Sequence, residues 1–258
     1  MHLIFIRHGD PDYEKNSLTE KGKREAELLA DRVSRWKIDG LYVSPYGRAQ
    51  DTASPFLNRI GCLPETLPWL KEFDCKIKDP LTGKERGCWD WMPERYFAEK
   101  KFFDRNAWYG TKAMKSGNIK EKFSEVCSGL DSVLEQHDYT RQAPDIPIYN
   151  CLPHLTEEEA SVDTHLDAFQ KNLDDRNLVF VCHLGVMFAA ISHLVGCSPL
   201  MLWQGFYVAP TSVTVLGAEE REPGQVVFRV QQLGDVRHLI EGGEPVSASG
   251  FFGSFVEF

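Results

Sequence analysis

Apolar positions along this chain fall into short runs separated by segments with helical spacing. Leu3–Ile6 is a continuous apolar run of strand length, the pattern of a strand buried on both faces. After the polar start Ser17-Leu18-Thr19-Glu20, residues Ala26, Leu29, Ala30, Val33 and Trp36 recur along one face and predict a helix to about Trp36. Leu41–Val43 predicts a second short strand, closed by Ser44-Pro45. A helix is expected from about Gly47, limited or bent by Pro55. Two prolines in Leu63–Leu70 suit an edge strand. Later, Thr156 and Glu159 form a capping box for a helix carrying Val162, Leu166, Phe169 and Leu173. Leu178–Cys182 is the clearest buried strand, followed by an apolar helix Leu184–Val195 that Gly196 ends. Ser212–Leu216 and Val226–Val230 read as closing strands. Strands alternating with helices predict an α/β fold, a three-layer α/β/α sandwich with a mostly parallel central sheet.

Residues 73–155 interrupt this alternation. Trp89, Trp91, Tyr96, Phe97, Phe102, Phe103, Trp108 and Tyr109 crowd a short window, and an amphipathic helix begins at about Ile119. The block reads as a helical, aromatic insertion packed on a core of residues 1–72 and 156–240, all within one domain. Most of its aromatic residues are expected to form a local core, while the element as a whole suits a lid or substrate-specificity segment. The tail, 241–258, is apolar at its end and has two candidate docking places, its own chain or a second copy in a homodimer.

Charge narrows the function. The 258 residues carry 29 basic and 38 acidic side chains, a net charge of −9, which argues against nonspecific nucleic-acid binding. A local pocket can still oppose the global sign; residues 73–122 alone hold twelve basic and eight acidic side chains. No apolar stretch is long enough to cross a bilayer, and the first residues read as a strand rather than a leader. Seven cysteines at irregular spacing, with no Cys-x-x-Cys pair, fit reduced thiols in a cytoplasmic protein. Cys151 and His154 share a metal-like spacing but have no second pair, so the spacing reads as coincidence and neither a metal nor another cofactor is expected.

Chemistry-bearing residues gather at strand ends. Arg7-His8-Gly9 follows the first strand, Arg48 lies just after the second, and His183 follows the strongest late strand. Singly, each is more often a satisfied structural or surface residue. Together they fall where open α/β sheets bind ligands, beyond the carboxyl ends of strands, and two arginines with two histidines suit an anion. Phosphoryl transfer is the chemistry such a group serves best, because it relies on positioning and charge stabilisation. Arginine forks match phosphoryl oxygens, and a neutral imidazole can attack phosphorus to form a covalent phosphohistidine.

Phe5-Ile6-Arg7-His8-Gly9, Ser44-Pro45-Tyr46-Gly47-Arg48-Ala49-Gln50-Asp51-Thr52-Ala53 and Val181-Cys182-His183-Leu184-Gly185 resemble the histidine phosphatase superfamily, most closely its phosphoglycerate mutase-like branch. Leu18–Gly22 and Pro210–Thr214 resemble two lesser family features. The resemblance covers about 1–72 and 156–240 and leaves the middle block outside. It implies that His8 is the phosphorylated nucleophile and that Arg7, Arg48 and His183 form the phosphate pocket. It places the general acid at Leu70-Lys71-Glu72-Phe73, hence Glu72, with Asp10 second and better suited to orienting its loop. Asn16 is expected near the phosphate. The mechanism it implies needs no metal.

The segment Asp10–Ser17 is short and lacks the longer Asn- and Trp-bearing loop of true mutases. A metal-independent phosphomonoester hydrolase acting on a small phosphorylated molecule is therefore the simplest expectation. A mutase, a phosphoprotein phosphatase and a non-catalytic phospho-ligand binder are the alternatives.

Overall fold

The computed structural model describes residues 1–154 and 174–255. The helix expected from Thr156 through Leu173 lies outside them. In chain order the strands are β1 (His2–Arg7), β2 (Pro11–Asp12), β3 (Ser17–Leu18), β4 (Gly40–Val43), β5 (Glu65–Thr66), β6 (Lys76–Lys78), β7 (Glu85–Gly87), β8 (Thr140–Ala143), β9 (Ile146–Asn150), β10 (Asn177–Cys182), β11 (Val213–Glu222) and β12 (Gln225–Asp235). The α-helices are α1 (Glu20–Val33), α2 (Gly47–Ile60), α3 (Pro93–Ala98), α4 (Ile119–Glu135), α5 (Leu184–Val195), α6 (Pro199–Gly205) and α7 (Arg237–Glu241).

Eight strands form the central sheet in the order β5-β4-β10-β1-β11-β12-β9-β8. The α/β fold is the expected one. Its first half is parallel, with Phe5 beside Phe180 and Phe180 beside Tyr42. From β11 onward every pairing is antiparallel, a feature the strand-helix alternation did not foretell. The reason lies at the end of β1. Thr211, in the left-handed region at φ 55°, donates its N–H to the carbonyls of Arg7 and His8. The chain therefore re-enters the sheet at the finish of β1 and can only run back along it. Hairpin β8–β9, inside the block read as helical and aromatic, extends the same sheet.

Strand alternation sorts the core into two faces. Ile4, Ile6, Val179 and Val181 pack against Leu29, Ala30, Ala53 and Phe56 of α1 and α2. Leu3, Phe5, Leu178 and Phe180 face the other way, toward α4, α5 and the aromatic block. Layers of helix thus cover both faces, as parallel strands require. Thr19 caps α1 by accepting the Gly22 N–H, and the helix ends at Val33, one turn earlier than the apolar spacing suggests. Pro55 does not stop α2, which runs to Ile60 before Gly61 turns left-handed at φ 64°. The expected edge strand shrinks to Glu65–Thr66, because Pro68 opens a 3-10 turn that carries Trp69 and Leu70 into the core.

In the middle block, Trp91, Tyr96, Phe102 and Trp108 are buried, while Trp89, Phe97 and Phe103 stay exposed. Trp108 sets its ring edge-on to Phe123 of α4 at 5.2 Å and to Trp203 of α6 at 5.8 Å. Most of these aromatics are therefore packing residues. The tail docks on its own chain, with Phe251 and Phe255 at 4.8 and 5.8 Å from the Tyr207 ring.

Phe180 is fully buried and stacked between Phe5 at 4.9 Å and Tyr42 at 5.0 Å. Phe180→Ala is expected to destabilise the chain by about 3–5 kcal/mol, read as a shift of the urea midpoint at unchanged slope. A shift below about 1 kcal/mol would place the packing centre elsewhere.

Candidate active site

The carboxyl ends of β1, β4 and β10 lie side by side, and the residues that leave them form one buried cluster. Arg7, His8, Arg48 and His183 are exposed by 3, 1, 7 and 0 %. The His8 and His183 rings lie 5.0 Å apart. The His8 N–H donates to the carbonyl of Cys182, and the Gly9 N–H donates to the Thr52 hydroxyl of α2, which pins the loop after β1.

A carbonyl partner fixes the His8 tautomer. His8 Nδ1–H donates to the Gly9 carbonyl at 2.7 Å, so Nε2 keeps its lone pair. Burial first, then the Arg7 charge, pulls the His8 pKa down to about 3. His183 Nε2 lies 2.7 Å from the Ser44 hydroxyl, whose oxygen also accepts the Tyr46 N–H. The Ser44 oxygen thus leaves its own O–H available to Nε2, and His183 Nδ1 is buried without a partner. Burial, followed by the nearby His8 and the two arginines, holds His183 well below its usual range.

Each guanidinium is gripped from behind. Arg7 donates through Nη1 to the Val208 carbonyl at 2.7 Å and through Nη2 to the Ser249 carbonyl at 3.0 Å, and lies over the Tyr207 ring. Arg48 donates through Nη1 to Asn16 Oδ1 at 3.0 Å and lies over the rings of Tyr13 and Tyr46. Gly47 lets that pairing form, since a Cβ there would sit 2.2 Å from the Asn16 carbonyl oxygen. Arg7 Nε and Arg48 Nε are buried with no partner. Neither guanidinium has an ion pair among the described residues.

Glu72 reaches the same place from the segment after the 3-10 turn. Its Oε1 accepts the N–H groups of Phe73 at 2.7 Å and Val186, in the first turn of α5, at 3.1 Å. The residue as a whole is half-buried, but its carboxyl is enclosed. Burial raises the carboxyl pKa above the usual glutamate value despite these N–H donors, Arg7 and Arg48, which pull the other way. Gly185 permits the approach, because a Cβ would lie 2.5 Å from Glu72 Oε1.

The remaining expected residues take supporting places. Asn16 holds Arg48, as above. Asp10 accepts the hydroxyls of Thr19 and Ser247, joining the loop after β1 to α1 and the tail, while its N–H donates to Glu25. Sequence reasoning did not single out Ser44, Tyr46 or Thr52 for roles, although all three lie in the quoted segment 44–53. Tyr207 and Ser249 had no local signal; they reach Arg7 only through the fold. The cavity of about 430 Å³ bounded by Arg105, Asp131 and His193 lies at the far end of α5 and shares no residue with this cluster.

The model of the histidine phosphatase superfamily (branch 1) matches residues 3–148. The match runs on into the middle block that the sequence resemblance left outside, as far as residue 148. A probable phosphoglycerate mutase, GpmB, of Cronobacter sakazakii is 30% identical over 101 residues, which span 34% of this chain and 47% of that protein. The chain thus spans about half the length of the curated relatives it matches. Among solved structures, a mycobacterial glucosyl-3-phosphoglycerate phosphatase with inorganic phosphate is similar at a TM-score of 0.55 and 18% identity, over 92% of this chain and 98% of that one. A phosphoserine phosphatase variant of Entamoeba histolytica with phosphoserine is similar at 0.56 and 17%, over 92% and 98%. At such identities the likeness is one of fold. No helix among the described residues is long and apolar enough to cross a membrane. With more than half its length matched by the family model, the chain belongs to the histidine phosphatase superfamily.

Proposed function

We propose that this chain is a phosphomonoester hydrolase that works through a phosphohistidine at His8. The observation that carries the reading is a set of three buried, unpartnered nitrogens, Arg7 Nε, Arg48 Nε and His183 Nδ1, in the cluster that holds the free Nε2 of His8. Leaving such groups unpaired costs about 1–3 kcal/mol each, which a bound phosphoryl group would recover. The cluster's two uncompensated positive charges match a dianion.

His8 Nε2 attacks phosphorus in line with the ester oxygen. The P–N bond forms as the P–O bond breaks, while the proton on Glu72 goes to the departing alcohol oxygen. Glu72, now a carboxylate, takes a proton from water. That water oxygen attacks phosphorus, the P–N bond breaks, and orthophosphate leaves with His8 restored. Arg7, Arg48 and His183 stabilise the charge on the equatorial oxygens in both steps. Asn16, Asp10 and the tail act through the arginines and the loop, as positioning residues.

A mutase reading draws on the names of the sequence relatives. The short segment Asp10–Ser17 supports hydrolysis, since a mutase must hold both phosphate positions and exclude water. Release of orthophosphate without isomer formation, with or without a bisphosphate primer, is the expected result; primed isomer formation would favour the mutase.

His8→Ala is expected to lower aryl phosphate hydrolysis by about 10³-fold or more, and full retention of activity would contradict the reading. Arg48→Lys keeps the charge but loses the planar fork, so the inhibition constant of orthophosphate should rise about tenfold; an unchanged constant would remove Arg48 from the pocket.

The pH profile isolates Glu72. Its raised pKa keeps the acid protonated above pH 4.5, and activity falls as pH rises through that raised value. His8 stays neutral until pH nears 3, so it does not set an acid limb before then. Glu72→Gln should remove the alkaline limb and lower kcat/KM for an alkyl phosphate by about 10²–10⁴-fold. An aryl phosphate, whose leaving group needs less proton assistance, should lose less. An alkaline limb identical in wild type and Glu72→Gln would assign the acid to another group.

A further inference from the structure

The Cys151 and His154 spacing, without a second pair in the sequence, gains a third donor from the fold. Glu220 of β11, 66 residues beyond His154, lies against the same loop. The Cys151 thiol sulfur, His154 Nδ1 and a Glu220 carboxylate oxygen all lie within 4.8 Å of one another. Sulfur, imidazole nitrogen and carboxylate oxygen are the donor types that zinc selects.

The geometry suits a metal in place of a proton. His154 Nδ1 lies 3.0 Å from Glu220 Oε2. In a tetrahedral zinc site with metal–ligand distances of about 2.0–2.2 Å, two such ligands stand about 3.3 Å apart. The nitrogen and oxygen are therefore close to that separation already. The carboxylate is also oriented from outside: Glu220 Oε1 accepts the Gly224 N–H at 2.7 Å and the His154 N–H at 3.1 Å. Supporting hydrogen bonds of this kind hold ligands in place at metal centres. The loop is seated independently, because the Cys151 N–H donates to the Gly224 carbonyl at 3.0 Å. Burial is graded across the group. The Glu220 side chain is 4 % exposed and that of His154 27 %, and Cys151 is half-buried.

We infer that Cys151, His154 and Glu220 bind a single divalent transition-metal ion, zinc by preference, as a structural clasp between the end of β9 and the β11–β12 hairpin. On binding, the thiol proton goes to solvent and the Nδ1 proton of His154 is displaced to Nε2, which leaves a thiolate, a neutral imidazole and a carboxylate on the ion. Three protein ligands and water complete a tetrahedron. The clasp lies outside the His8 cluster and takes no part in the phosphoryl chemistry.

The test uses the full chain, stripped with EDTA under reducing conditions and titrated with Co²⁺. A thiolate-to-cobalt charge-transfer band is expected to saturate at one equivalent, to disappear on adding Zn²⁺, and to be absent in Cys151→Ser and His154→Gln. Cys62→Ser should retain it, since Cys62 is exposed and remote in sequence. A second readout needs no variant: one equivalent of Zn²⁺ should slow alkylation of Cys151 by about tenfold or more, because a metal-bound thiolate is a poor nucleophile, and EDTA should restore the rate. No thiolate band, a band that survives in Cys151→Ser, or alkylation of Cys151 unaffected by zinc would overturn the proposal.

Discussion

Arg7 and Arg48 carry two positive charges into the interior at one end of the sheet, and neither has an ion pair among the described residues. Burying a charge without a partner costs several kcal/mol, and the neighbourhood offsets only part of that. Two backbone carbonyls and the Tyr207 ring hold Arg7, while Asn16 and the rings of Tyr13 and Tyr46 hold Arg48. These contacts fix the forks but supply no negative charge. The same two cations help keep His8 and His183 neutral. They also oppose the protonation of Glu72, which burial nevertheless favours. The phosphoryl dianion proposed as substrate would supply the negative charge that these contacts do not.

Backbone accommodation makes this density of groups possible. The Thr52 hydroxyl, the Cys182 carbonyl and the first turn of α5 each fasten one member of the cluster to a different element. Gly185 and Gly47 leave room where Glu72 and Asn16 come closest. The tail adds the last grip through Ser249 and Ser247, so a segment about 240 residues away in sequence closes the ring around the loop that follows β1.

Much of this was legible in the chain. Arg7, His8, Arg48 and His183 follow strands whose apolar runs are unambiguous, and strand-end position alone brings them together. Glu72 was readable only through the family resemblance, because nothing local separates it from a surface glutamate beside Lys71. The antiparallel half of the sheet was not legible. Strand β8 has no buried residue, so its pattern resembles a loop, and the direction of β11 is set by the turn at Thr211 rather than by its own residues. Ser44, Tyr207 and Ser249 were missed for a common reason: their roles depend on contacts across the fold. Glu220 is the same case, since only the hairpin brings it to Cys151 and His154.

The central claim is that the phosphoryl group passes through His8. The most direct measurement is rapid acid-free quenching of Glu72→Gln during turnover of an aryl phosphate, followed by peptide mass spectrometry. Loss of the water-activating carboxylate should slow dephosphorylation more than phosphorylation of this substrate, so a phosphoryl group that is labile to acid and stable to base should accumulate on His8. Steady turnover with no phosphoryl group on His8, or with the group on another residue, would contradict the account.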